Sequence, residues 1–561
     1  MPEIHHRAID AAALGLLVAG GCDPRLARLY AARGMTTVAE LETRFAALAG
    51  PDRLHHVDDA ARMLADAISA GERLLIVADY DADGATACAV GVKALRALGA
   101  NIDYLVPNRF DHAYGLSPEI VREAAKRSPD ILITVDNGIA AVDGIEEANR
   151  LGMRVLVTDH HLPGAQVPAA ACIVNPNQAG CGFPSKHLAG VGVIFYVMLA
   201  LRAELRRRGA FAQKPEPNLA ELLDLVALGT VADVVRLDAN NRILVTQGLA
   251  RIRAGKASPG ITALLEIAGR DPRTATAYDL GFAAGPRLNA AGRLDDMSIG
   301  IECLLAADGA RATELAQRLD KLNRERREIE GEMQASAMKM VEEFEAGESY
   351  TLAIHHADWH TGVVGILASR LKDRFHRPVF AFAAESNSRL KGSGRSIAGL
   401  HLRDALDLVD KRCPGMLERF GGHAAAAGAT LPASRLEDFR EAFEAVAREL
   451  LTPADLQQRL ETDGELESAQ MTYDFARLLK EQVWGQGFPE PRFVGRFAVE
   501  AQKIVGERHS RLTLARDGRR FGAILFGRAD PLPASIDAVY RLDVNEYQGS
   551  TSLQLVVEHV A

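Results

Sequence analysis

Three short stretches of the chain concentrate groups able to hold cations. "ADYDADGATA" (78–87) packs Asp79, Asp81 and Asp83 into five positions, "VDNG" (135–138) supplies Asp136, and "TDHH" (158–161) supplies Asp159, His160 and His161. Carboxylates this close repel and raise one another's pKa unless a cation compensates. Oxygen donors joined by one or two imidazoles suit Mn²⁺ or Mg²⁺, and a carboxylate bridging two ions sets up two-metal phosphoryl chemistry. Asp and Gly also end strands in ordinary turns. That explains any one motif, but poorly explains three that converge.

Convergence follows from the elements around them. Between residues 74 and 175 the short apolar runs "LLIVAD", "IDYLVP", "DILITVD", "RVLVTD" and "ACIVNP" alternate with helical patterns such as "GATACAVGVKALRALGA". The alternation predicts an α/β fold, a parallel sheet with helices on both faces. Ligands of such sheets bind outside the carboxyl ends of the strands, where every acid motif sits. Residues 186–300 read as mainly helical. From 310 to 345, Leu315, Leu319, Leu322, Ile329 and Met333 form one apolar stripe on a long connecting helix. "YTLAIHHADWHTGVVGILASRLKDRFHRPVFAFA" then opens a second α/β domain, and short alternating runs after "LTPADL" predict a small OB-like β-barrel. The boundaries expected are 1–309 for the catalytic domain with its N-terminal helical segment, 310–347 for the connecting helix, 348–452 for the second domain and 453–561 for the barrel.

The 561 residues carry 65 basic and 74 acidic side chains, a net charge of −9, so no global charge advertises nucleic acid. Locally the balance differs: residues 359–403 hold eight Lys or Arg against Asp373 and Glu385 alone. A polyanion would lie there. Within that stretch "RLKGSGRS" reads as a glycine loop that could cradle a phosphate. Gly392 and Gly394 would allow close approach, with Lys391, Ser393, Arg395 and Ser396 around them; an ordinary glycine turn is the alternative. The six scattered cysteines form no C-x-x-C pair, which points to a reducing cytoplasm. "AAALGLLVAGGC" (11–22) mimics an export signal, but its flank "MPEIHHR" lacks the positive start, and no apolar run approaches a membrane span.

"DYDADG", "PNRF…YGL", "VDNG", "DHH" and "GTVADVV", in this order, resemble the DHH phosphoesterase superfamily. "GPRLNAAGRL", "WHTGVVGILASRL", "KGSGRSI" and "FGGHAAAAG" are similar to its RecJ branch, single-strand-specific DNA exonucleases. The likeness spans nearly the whole chain. It implies two Mn²⁺ or Mg²⁺ ions held by Asp81, Asp83, Asp136, His160 and Asp233, with Asp136 bridging. Asp79 and Asp159 become supports, and His161 a group that contacts the scissile phosphate or protonates the leaving oxygen. The second domain becomes a DHHA1-type nucleic-acid-binding domain.

The resemblance also implies that Arg109 of "PNR" and the "KGSGRS" segment hold an end phosphate. Arg287, Asn289 and Arg293 of "GPRLNAAGRL" either grip the strand or form a structural salt-bridge cluster. His360 and His423 would line the DNA channel, and Trp359 either stacks on a base or fills the core. The expected activity is 5′-to-3′ hydrolysis of single-stranded DNA to 5′-mononucleotides in recombination and repair, the strand passing between the two α/β domains. A single-stranded-DNA-binding protein and a helicase are the implied partners. A short-substrate phosphodiesterase or a non-catalytic single-strand binder are the rival readings; length and basic patch disfavour the first, intact acids the second.

Overall fold

The computed structural model describes residues 3–108, 115–341, 349–386, 388–506, 508–547 and 550–560. Its chain divides into two compact units, Met1–His5 with Arg324–Glu461 and His6–Asn323 with Thr462–Ala561. A short strand β1 (Glu3–His6) opens the chain.

The acid motifs lie in the larger unit on a five-stranded sheet: β2 (Arg73–Ala78), β3 (Asn101–Leu105), β4 (Ile131–Val135), β5 (Arg154–Thr158) and β6 (Cys172–Val174), in the order β3-β2-β4-β5-β6. Every pairing is parallel. Side-chain alternation sends Leu74, Ile76, Ile131, Ile133 and Val135 into one core and Leu75, Val77, Leu132, Val155 and Val157 into another. The apolar runs are therefore continuous because both faces are covered. The chain steps from β2 to β3 on one side and returns to place β4 on the other, so the fold's switch point lies between the ends of β2 and β4.

In the smaller unit, β7 (Leu352–His356), β8 (Val379–Ser386), β9 (Arg389–Arg395), β10 (Arg419–Gly422) and β11 (Ala426–Pro432) form a mixed sheet in the order β10-β11-β9-β8-β7. β12 (Arg459–Thr462) pairs with β1. The larger unit ends in a closed barrel of β13 (Phe493–Val505), β14 (His509–Arg516), β15 (Arg519–Leu525), β16 (Ser535–Tyr547) and β17 (Ser550–Val560). The N-terminal helices clasp the approach to it. Tyr30 stacks on Phe488 at 5.8 Å, and the buried Arg33 pairs with Asp463 at 2.8 Å while lying over Trp484.

The connecting helix runs Gly309–Met340. Leu315, Leu319 and Met333 are buried as the stripe predicts, but Leu322 and Ile329 are only half-buried. Asp320, Asn323, Arg326 and Glu330 are buried instead, a polar face made tolerable by pairing: Asp320 takes Arg287 at 2.8 Å, and Glu330 takes Arg326 at 2.8 Å and Arg370 at 2.9 Å.

The "RLKGSGRS" loop is corrected: Arg389–Arg395 is strand β9, flanked by β8 and β11. A Cβ on Gly392 would lie 2.3 Å from the Phe382 ring, and one on Gly394 2.4 Å from the Phe380 ring. The glycines make room for an aromatic core, in which Phe380 and Phe382 pack edge-on against Phe439 at 5.3 Å.

Candidate metal centre and active site

Residues at the carboxyl edge of the sheet are staggered by the parallel ladder itself. Ala78 pairs with Val135, Val135 with Thr158, and Thr158 with Val174. The next amide in each strand reaches the neighbour's last carbonyl: Asp79 N to Val135 O (3.3 Å), Asp136 N to Thr158 O (3.1 Å), Asp159 N to Val174 O (3.2 Å). One edge thus presents three acids side by side. Asn137 ties the ends of β2 and β4 together by donating to Val77 O and Val135 O.

Beyond β2 the chain turns into the helix Ala82–Leu98, whose N-cap is Asp81, accepting from Asp83 N and Gly84 N. Asp83, fully buried, points across to the start of the helix Gly190–Arg207 and accepts from Gly190 N (2.5 Å) and Val191 N (2.9 Å). A helix N-terminus favours that negative charge. Asp233 closes the helix Leu223–Ala232. Among these acids His160 Nε2 stands 3.0 Å from Asp136 Oδ1, 3.5 Å from Asp233 Oδ2 and 3.9 Å from Asp83 Oδ2.

Donor atoms fall into three overlapping sets, each within 4.8 Å: Asp79, Asp81 and Asp136; Asp83, His160 and Asp233; Asp136, His160 and His161. Asp136 is common to two of them. The site is tightly walled, since a Cβ on Gly190 would lie 2.6 Å from Asp136 Cβ and one on Gly229 2.9 Å from Asp83 Oδ1. Asp136 and Val234, the residue after Asp233, adopt left-handed backbone at φ 63° and 59°. Backbone of this kind is costly outside glycine and gathers at functional sites.

Electrostatics separate the cluster into two behaviours. Burial, reinforced by Asp81, pushes the Asp83 carboxyl up to about 7. Burial and then the Asp83 charge drive Asp136 and Asp233 well above the usual carboxylate range. Asp159 goes the other way: burial would raise it, but the hydrogen bond and charge of His161 and the Ile139 amide hold it below the ordinary value. His161 Nδ1 lies 2.8 Å from Asp159 Oδ1, and although burial opposes it, that carboxylate lifts the imidazole to about 9. Three crowded acids that resist ionising, beside imidazole nitrogen, are a donor set suited to a hard divalent cation.

Sequence reasoning missed the supports. Asn175 and Asn177 donate to the carbonyls of His161 and His160, and "VNPN" carried no signal for this beyond its place after a strand. Asn289 receives the Ala82 amide at 2.9 Å, holding the start of the Asp81–Asp83 helix. Arg287 is buried and engaged with Asp320 and the Ala283 carbonyl, which is the salt-bridge alternative. Arg293 is half-buried in the last turn of the same helix, and Arg109 lies outside the described residues.

In the smaller unit, Ser393 and Arg395 share the face of β9 opposite the phenylalanines. Arg395 Nη1 donates to Ser393 Oγ (3.0 Å) and Gly394 O (2.8 Å). Burial depresses its pKa. Both side chains close on Gly365, whose added Cβ would lie 3.0 Å from each, at the start of the helix Val364–Phe375. His360 accepts the Val363 and Val364 amides through its carbonyl and sits at the same helix start. Ser393 and Arg395 are thus brought together, with the His360 backbone at the same helix start, whereas Lys391 is exposed, Ser396 is buried on Leu400 O, and His423 is exposed beyond β10. The basic excess is partly neutralised by Arg370–Glu330, Lys372–Asp373 and Arg389–Glu418. Trp359 is buried, the core alternative.

The chain matches the DHH family N-terminal domain over residues 73–230, the DHHA1 domain over 347–449 and the RecJ OB domain over 462–559. It is 52% identical over 549 residues to a Dickeya dadantii protein named single-stranded-DNA-specific exonuclease RecJ, covering 95% of each chain. It is 51% identical over 553 residues to the Escherichia coli protein of that name, covering 96% of each. The chain belongs to the RecJ family. Its structure resembles RecJ from Thermus thermophilus in complex with Mn²⁺, with a TM-score of 0.83, 30% identity, and coverage of 100% of this chain and 79% of that one. The Mg²⁺ complex of the same RecJ gives 0.77 at 28% identity, with coverage of 100% and 78%. The α/β architecture, the DHHA1-type second domain and the OB-type barrel are those of the family. No helix among the described residues is long and apolar enough to cross a membrane.

Proposed function

We propose that this RecJ-family protein hydrolyses single-stranded DNA from a 5′ end, releasing 5′-mononucleotides, in recombination and repair. The observation that carries the reading is the pair of donor sets sharing Asp136 at the switch point, in a chain that matches single-strand-specific nucleases along nearly its whole length. Asp81, Asp83, Asp136, His160 and Asp233 would hold two Mn²⁺ or Mg²⁺ ions, Asp79 standing close enough to assist. Bound there, such ions supply Lewis acidity to the phosphate and lower the pKa of an attacking water.

The chain's own groups do the rest. Although burial opposes it, the Asp159 carboxylate raises the imidazole pKa, and His161 is biased toward its protonated form. It can donate to a non-bridging phosphate oxygen or to the departing 3′ oxygen. Asp159 fixes the ring through Nδ1 and leaves Nε2 for the substrate. Within the smaller unit, the desolvated Arg395 with Ser393 at a helix start supports an end-phosphate grip. By resemblance, Arg109 holds the end phosphate with the Lys391–Ser396 segment, Arg293 grips the strand and His423 lines its channel, while Arg287 and Asn289 are structural supports within the larger unit. Action in the cytoplasm beside a single-stranded-DNA-binding protein and a helicase completes the reading, as do domains at 1–309, 310–347, 348–452 and 453–561.

The test is release of acid-soluble nucleotides from single strands labelled at either end, with and without Mn²⁺. Early loss of a 5′ label, absence of cleavage after chelation and resistance of a blunt duplex are expected. Early loss of a 3′ label, or internal cuts, would overturn the polarity or the exonuclease reading.

A further inference from the structure

Tyr278 and Phe282 stack on one another at 4.6 Å and 23° while remaining 52% and 64% exposed. Two large rings left in water side by side need a reason, since contiguous exposed apolar surface marks an interaction site. Their backbone is unusual as well. Leu280–Ala284 is a π-helical turn inserted ahead of the helix Gly285–Leu294. Such insertions recur at functional sites.

The turn is seated against the segment that leads into Asp233. Added Cβ atoms on Gly281 and Gly285 would lie 3.1 Å from Val231 and from Ala232, the residues that lead into Asp233. Further along the same helix, Asn289 takes the Ala82 amide and Gly292 abuts the Tyr80 carbonyl beside Asp81. Tyr278 and Phe282 therefore stand on the same continuous helical segment as Asn289 and Arg293, about two to four turns from the residues that abut the acid motif. Val234, next to Asp233, is 63% exposed and held at φ 59°. A β-branched residue strained and solvent-facing beside a donor carboxylate is otherwise unaccounted for.

We propose that the Tyr278–Phe282 pair is a stacking platform for nucleobases of the single strand whose phosphate occupies the metal centre, with Val234 as its apolar border. The inference rests on the nuclease reading above and names side chains that position its substrate. Every base presents a π-face, so such a platform grips a strand without reading sequence, at about 1–3 kcal/mol per base. Phosphates would go to the cation-holding acids and bases to the adjacent rings, which separates the two halves of each nucleotide.

The experiment compares full-length wild type with Phe282→Leu, Tyr278→Leu and the double variant on two strands, one normal and one carrying abasic residues near the 5′ end. The exposed rings are replaced by apolar side chains, and the thermal midpoint checks folding. On the normal strand the double variant should lose about 5- to 100-fold in kcat/KM. The abasic strand should cost wild type a similar factor and the double variant almost nothing further. Tyr278→Phe should behave as wild type. Equal losses for the variant on both strands, or no loss on either, would overturn the platform. Quenching of 2-aminopurine near the 5′ end of a bound strand, measured with Asp136→Ala to prevent cleavage, reads stacking directly. Quenching unchanged by the ring substitutions overturns the platform even where no hydrolysis is found, whereas absent hydrolysis with ring-dependent quenching overturns only the nuclease reading.

Discussion

Filling the acid cluster with Mg²⁺ or Mn²⁺ should expel protons, and Asp83 sets the scale. Its side chain is fully buried beside Asp81 and titrates near 7. A carboxylate must be ionised to bind metal, so at pH 6 about 0.9 proton should leave Asp83 per chain loaded, and at pH 8 only about 0.1. Asp136 and Asp233 are displaced in the same direction and add to the count. The stability consequence has a definite sign. A folded-state pKa above the ordinary 3.8 means that the metal-free protein keeps this contribution below about pH 4 and loses it as pH rises through about 7. The displacement amounts to on the order of 4 kcal/mol, which a bound cation should largely cancel. Calorimetric titration of metal-free protein at pH 6 and 8, in buffers of differing ionisation enthalpy, counts the protons. Asp83→Asn should lower the pH 6 count by about one. Release below about 0.3 proton at pH 6, or a count unchanged between the two pH values, would refute the argument from burial.

Asp136→Ala should abolish cleavage in Mn²⁺ while largely sparing single-strand binding; more than about a tenth of the wild-type rate would remove its bridging role. Gly190→Ala, forced against Asp136 Cβ at 2.6 Å, should cost about 100-fold or more in kcat with the fold intact by circular dichroism. Gly392→Ala and Gly394→Ala should each destabilise the smaller unit by about 1–3 kcal/mol, read as earlier proteolysis, because the Phe382 and Phe380 rings fill the space a methyl group needs. Arg109→Ala and Arg395→Ala should impair a 5′-phosphorylated end more than a 5′-hydroxyl end in kcat/KM; equal losses would place both on the internal backbone.

The catalytic half was legible because its signals are local and directional. Apolar runs buried on both faces and alternating with helical patterns fit parallel strands, and an acid directly after such a run is delivered to the ligand-binding edge. Asp79, Asp136 and Asp159 lie one residue beyond registered pairs for that reason. Signals failed where a residue's meaning depends on a distant partner. "KGSGRS" has the composition of a phosphate loop, yet its glycines answer Phe380 and Phe382 from a neighbouring strand. Arg287 reads as a nucleic-acid contact until Asp320, 33 residues on, is seen to hold it. Counting charge over 359–403 likewise overlooked Glu330 and Glu418, which lie outside that window.

Packing acids that repel one another into a core must be opposed by other interactions, and the structure shows three devices. The sheet ladder fixes Asp79, Asp136 and Asp159 through their amides rather than their carboxylates, leaving the ladder independent of the charge on the side chains. Two helix-start amides stabilise the Asp83 charge, and His161 neutralises Asp159. Asp136 and Asp233 stay furthest displaced, raised well above their usual range even with His160 beside them. Asp136 and Val234, adjacent to Asp233, are also where left-handed backbone occurs at this site, at about 1–3 kcal/mol each. Strain and electrostatic misfit coincide at Asp136 and adjoin at Asp233 and Val234, where a cation would relieve the misfit. The surrounding core, from Ile76 and Val135 to Val191 and Leu228, is buried tightly enough to hold them there. Preorganisation of this kind raises the cost of the metal-free state, so that binding a cation and completing the active site become one event.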